Sequence, residues 1–109
     1  MATIEFVIPA DHPALAGHFP DNPIVPGVVL LDEIIRNTEA EVSSNSYRWK
    51  ISDISVVKFL RPLLPGQLCA LELSQLNQGR IEFTCRSQGE VIAKGQLRGG
   101  RVSTREASR

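Results

Sequence analysis

Neither sign of charge prevails in this chain: twelve Lys and Arg stand against twelve Asp and Glu, a formal net charge of zero. No global field therefore draws it toward nucleic acid. Nor is any apolar run long enough to cross a bilayer. The opening Met-Ala-Thr-Ile-Glu-Phe lacks the basic region and apolar core of a secretory signal, and Glu5 interrupts it, so a cytoplasmic location is expected. Cysteine is limited to Cys69 and Cys85, which form no Cys-x-x-Cys pair and have no His at metal-binding spacing. Two small thiols buried on strand faces are expected, with no metal site.

The 109 residues are expected to make one domain with a single core. Its most informative stretch runs from Gly17 to Ile35. Pro20, Pro23 and Pro26 recur at every third position, each fixing its own φ and pushing the preceding residue into extended geometry. A stiff loop carrying His18 is expected there. Pro26-Gly27 then opens a helix from Gly27 or Val28, since Pro suits a helix start and breaks its middle. Helical spacing gathers Val28, Leu31, Ile34, Ile35 and Val42 on one broad apolar arc, with Glu33, Asn37, Ala40 and Glu41 opposite. Asp32 falls at the edge of that arc. A carboxylate drawn toward low dielectric favours its neutral form and becomes a proton donor near neutral pH. By spacing alone, Asp32 is equally a helix-face residue bonded to a loop N–H, and His18 a turn residue touching solvent.

Elsewhere the pattern is that of strands. Thr3 to Ile8 alternates and stops at Pro9, and Asp11 to Leu15 reads as a turn or short helical piece. His12, before Pro13, reads as a surface turn residue outside any site. Ser43-Ser44-Asn45-Ser46 ends the helix; strands follow at Tyr47 to Ile51, Ile54 to Leu60 and Leu68 to Leu76. Gln78-Gly79-Arg80 and Gln88-Gly89 are hairpin turns, and a last strand reaches about Arg98 through Val91, Ala93 and Leu97. One helix and about six strands imply an α+β fold, a curved antiparallel sheet around one long helix. The polar, Gly-rich residues from Gly99 to Arg109 read as a flexible tail.

Two blocks of the chain resemble a known family. Gly17-His18-Phe19-Pro20, Asn22-Pro23-Ile24-Val25-Pro26-Gly27-Val28 and Asp32, fourteen residues after His18, are similar to the signature of the β-hydroxyacyl-acyl-carrier-protein dehydratases of type II fatty acid synthesis. Lys58-Phe59-Leu60-Arg61-Pro62-Leu63-Leu64-Pro65-Gly66 resembles that family's strand-to-turn segment. The compact length resembles its stand-alone members in fatty acid and polyene pigment synthesis. The resemblance implies a hot-dog fold and a homodimer joined edge to edge, with a higher oligomer or a heterodimer with a related subunit as further options. It also implies that His18 of one subunit faces Asp32 of the other.

Dehydration of a 3-hydroxyacyl thioester to a trans-2-enoyl thioester needs a base for the α-proton and a group to protonate or orient the departing hydroxyl. The resemblance assigns these roles to His18 and Asp32. The thioester oxygen gains charge as the proton leaves, so donors at a helix N-terminus suit it. Gly27 N–H is the family's counterpart, Val28 N–H lies beside it, and the Ile24 carbonyl is the counterpart of the group that orients the histidine ring. No cofactor is implied, because the substrate rides on the phosphopantetheine of an acyl carrier protein. Lys58, Arg61, Arg98 and Arg101 are the candidate surface for that acidic partner.

Three departures stand out. Asp21 occupies a common Gly position, Asp32 stands where many members carry Glu although the bifunctional dehydratase/isomerase branch has Asp, and Arg36 replaces a frequent Gln. Arg36 is one turn from Asp32 and within reach of it, of solvent or of a phosphopantetheine phosphate. Two other readings remain: a hot-dog thioesterase, which has no need of the His-Phe-Pro loop, and a non-catalytic acyl-binding or scaffolding subunit.

Overall fold

A computed structural model of the protein describes residues 2–15 and 24–103. His18, Asp21 and the rest of the loop over 16–23 lie outside the described residues, as do 104–109. The elements in order are β1 (Ala2–Val7), a 3-10 turn at Pro13–Leu15, α1 (Gly27–Val42), β2 (Tyr47–Phe59), β3 (Leu68–Gln75), β4 (Arg80–Ser87) and β5 (Glu90–Ser103). The five strands make one antiparallel sheet in the order β1-β3-β4-β5-β2. An α+β architecture with a single long helix is thus observed.

Alternation builds the sheet as the residue pattern requires. Cys69, Leu71 and Leu73 on β3 and Ile81, Phe83 and Cys85 on β4 are buried, while the residues between them face outward. Each side chain of this size contributes about 1.5–3 kcal/mol when removed from water. Both hairpin turns have the expected twist: Gln78 and Gly79 have φ of 63° and 73°, and Gln88 and Gly89 of 53° and 78°. Positive φ at both central residues matches the right-handed twist of the flanking strands.

Three features depart from the pattern reading. The two strands expected across Tyr47–Leu60 are one strand, β2, interrupted by register shifts at Ile51/Asp53 and Ile54/Val56. The polar Ser52-Asp53 pair that looks like a break is absorbed as a bulge, so five strands are found among the described residues. β5 runs past Arg98 through Gly99–Ser103, which pair with Tyr47–Ile51. Glycine there does not mark a tail: a Cβ on Gly99 would collide with the Lys50 carbonyl and the Trp49 ring, so only hydrogen fits. A register shift at Cys85/Arg86 also breaks the alternation of β5, burying both Ile92 and Ala93.

α1 begins after Pro26, which supplies no side-chain cap but whose carbonyl accepts from the N–H groups of Val29 (3.0 Å) and Leu30 (3.2 Å). The loop before it is pinned by Val25 N–H donating to the Leu63 carbonyl at 2.8 Å. At its far end, Ser43 Oγ accepts from Trp49 N–H (2.8 Å) and the Glu39 carboxylate from Ile51 N–H (2.8 Å), tying the helix to the start of β2. The helix face against the core is Val29, Leu30, Ile34 and Thr38, with Thr38 Oγ1 donating to the Ile34 carbonyl at 2.7 Å. Val28, placed on the buried arc by spacing, is instead 77% exposed. The first turn is apolar all round, so periodicity does not select its inner face; the sheet does.

Where β2 bulges, the Val56 carbonyl lies against Gly95 of β5 and occupies the space a Cβ would take. Gly95→Ala is expected to destabilise the protein by about 1–3 kcal/mol through overpacking. Urea unfolding checks this as a lower midpoint at unchanged slope.

Candidate functional site

α1 starts directly after Pro26, the last of three prolines spaced three residues apart in the sequence. Pro26 cannot cap, and among the described residues no hydrogen bond is accepted from Gly27 N–H or Val28 N–H. These are two of the orphan donors that begin any helix, and they carry the positive end of its dipole. The Phe59 ring, half exposed, packs over Gly27: a Cβ built there would lie 3.1 Å from the ring's Cζ. The absence of a side chain at Gly27 thus lets an aromatic ring approach the donor pair. Ile24 is half-buried just ahead of the pinned Val25.

Asp32 lies a turn and a half farther along, on the helix side opposite the buried Val29, Leu30, Ile34 and Thr38. Its side chain is 57% exposed in the single subunit, not drawn toward the core edge as the apolar arc suggests. Arg36 Nε donates to Asp32 Oδ2 at 2.7 Å. That bond and the charge of Asp32 hold the guanidinium pKa above its usual value. Glu33, expected on the polar side, is the more enclosed acid. Its Oε1 lies 3.7 Å from Nε2 of His12, which is itself only partly exposed. This contact joins the turn ahead of the His18 loop to α1, and residue spacing has no signal for it.

The four basic residues nominated as a partner surface do not form one cluster. Arg61 is paired with Glu90 at 3.2 Å, and Arg101 lies over the Tyr47 ring at 4.3 Å from its centroid. Arg98 sits opposite Arg80 across β4 and β5, and Lys58 opposite Lys94 across β2 and β5. From Lys94 to Arg101 the strand advances by about 3.3 Å per residue, so the ends are far apart. Lys58 adjoins Phe59 in β2, but alternation sends the two side chains to opposite faces of the sheet, and Lys58 lies with Glu82, Thr84 and Lys94.

Cys69 and Cys85 are free and fully buried. A hydrogen bond between the two thiols, with burial, pushes the Cys85 thiol up and keeps it neutral. Among the described residues no group of three His, Cys, Asp or Glu could hold a metal ion. No helix is long and apolar enough to cross a membrane.

Comparison with known proteins places the chain in a family. Residues 1–96 match the ApeI-like family, described as ApeI dehydratase. The chain belongs to this family. Among curated proteins it is similar to the 3-hydroxyacyl-[acyl-carrier-protein] dehydratase FabZ of Acetivibrio thermocellus, 29% identical over 86% of this chain and 70% of the relative. The Pasteurella multocida FabZ is 31% identical over 83% of this chain and 65% of the relative. The chain therefore spans about two thirds of the length of these relatives.

Among solved structures, the dehydratase heterocomplex ApeI:P from Xenorhabdus doucetiae superposes with a TM-score of 0.75 at 24% identity, over 91% of this chain and 86% of that one. A hot-dog-like protein from Thermanaerovibrio acidaminovorans gives 0.70 at 10% identity, over 98% and 84%. The fluoroacetyl-CoA thioesterase FlK gives 0.67 at 15%, over 98% and 88%. The structural likenesses establish the hot-dog fold, which dehydratases and thioesterases share. Family membership and the FabZ relatives support the reading of the chain as a β-hydroxyacyl-carrier-protein dehydratase.

The Phe59–Gly27 contact yields a test. Ala is the better helix former, so in a Phe59→Ala background Gly27→Ala is expected to stabilise by up to about 0.5 kcal/mol. With Phe59 present the methyl needs the ring to move, and the gain is expected to vanish. Denaturant midpoints of the four proteins measure the difference.

Proposed function

We propose that this dehydratase removes water from a 3-hydroxyacyl thioester carried on the phosphopantetheine of an acyl carrier protein and releases the trans-2-enoyl thioester. His18 takes the α-proton, and Asp32 protonates or orients the departing hydroxyl, directly or through a water. Gly27 and Val28 N–H stabilise the charge that grows on the thioester oxygen. The observation that carries this reading is the pair of helix N–H groups, without an acceptor among the described residues, next to the Phe59 ring and followed by a carboxylate on the same helix. The His-Phe-Pro loop favours this chemistry over thioester hydrolysis.

The active assembly is a dimer. Asp32 faces away from its own core, so a group that works with it comes from outside that core. Among the described residues β2 is an edge strand paired with β5 alone and exposes Ile54 (42%) and Val56 (41%), which suits continuation of the sheet into a second copy or a related subunit. Lys58 and Lys94, like charges directly opposite on adjacent strands, are the residues best placed to receive an acidic carrier protein.

Two measurements test the proposal. With a 3-hydroxyacyl carrier protein, mass spectrometry is expected to show loss of water from the acyl group, whereas a free carrier thiol means a thioesterase. His18→Ala is expected to lower that rate by about 10²–10⁴-fold while the dimer remains intact, and normal turnover removes His18 from its role. Ile54→Lys on the open edge is expected to shift the protein toward monomer in sedimentation velocity and to lower activity with it.

A further inference from the structure

Arg36 contributes nothing that the proton transfers themselves require, yet it is bonded to the one helix carboxylate assigned to them. The following rests on the reading of Asp32 as a site residue. Arg36 Nε reaches Asp32 Oδ2 at 2.7 Å, the length of a charge-assisted bond between guanidinium and carboxylate. Only one carboxylate oxygen is engaged; Oδ1 accepts no hydrogen bond among the described residues. Asp has two side-chain torsions, so fixing one oxygen settles the plane of the carboxylate and the direction in which the other points. Both residues stand on a single helix one turn apart, so the geometry exists before any ligand arrives.

Stability is a poor account of this pair. Arg36 and Asp32 are 71% and 57% exposed, and ion pairs in that setting add little to folding. The consequence lies in the carboxylate. A free Asp on this outward face samples several rotamers, whereas one held through Oδ2 presents Oδ1 in a fixed place. We infer that Arg36 is a positioning residue for the dehydration: by donating to Oδ2 it fixes the plane of the Asp32 carboxyl group and aims Oδ1 at the substrate hydroxyl or at a water bound to it. The short reach of Asp makes the aim more demanding, since one methylene less leaves less slack for the substrate to take up.

The test is a double-mutant cycle on the full-length dimer, with a 3-hydroxyacyl carrier protein as substrate. Arg36→Ala is expected to lower kcat about 10–100-fold, the range for a misplaced reacting group, with KM within about twofold and the thermal midpoint nearly unchanged. Arg36→Lys, which keeps the charge but not the planar donor, is expected to recover part of kcat. In an Asp32→Ala background, Arg36→Ala is expected to add no further loss. Wild-type kcat in Arg36→Ala, or losses that multiply in the double variant, overturns the inference. A wild-type protein that removes no water is a different failure, that of the dehydratase reading itself.

Discussion

The burial of one face of α1 in the sheet is the contact on which the remaining arrangement depends. Val29, Leu30, Ile34 and Thr38 commit the helix to a single rotation, and Asp32 and Arg36 are turned outward as a direct result. The same seating is held at both ends. Val25 N–H on the Leu63 carbonyl places the start, and Ser43 and Glu39 accept from β2 at the other end. A helix so held cannot rotate to bring Asp32 inward without exposing Ile34 and losing these bonds.

The proposed chemistry draws on the N–H groups at the helix start as much as on the face the helix buries. Proline at the N-cap position gives up the side-chain acceptor that Ser or Asp would supply, and among the described residues two N–H groups at the positive end of the dipole have no acceptor. Gly27 admits the Phe59 ring beside them. A capped, solvent-facing helix start is the more stable arrangement, and this one suits a ligand oxygen better.

The open edge of β2 and the outward carboxylate belong together. In the proposed dimer, the outward carboxylate and the exposed Ile54 and Val56 of the β2 edge are both met by a second copy. The bulges in β2 bend that edge and require Gly95 and Gly99 on the neighbouring strand, so the shape of the proposed dimer surface is set inside the sheet.

By itself the sequence determined the element types, the hairpin turns, the helix start at Pro26-Gly27 and the family, because proline spacing, two-residue alternation and the His18 and Lys58 blocks are local signals. It also brought Arg36 within reach of Asp32, since residues four apart on a helix always are neighbours. Tertiary structure alone decided which side of an all-apolar first turn is buried, that Ser52-Asp53 is a bulge and not a break, and that Gly99–Ser103 is strand and not tail. It alone set Phe59 on Gly27, His12 near Glu33 and Lys58 opposite Lys94. Each of these is a contact between segments distant along the chain, whose geometry follows from how the sheet twists and where the helix rests on it, and no periodicity within one segment encodes that.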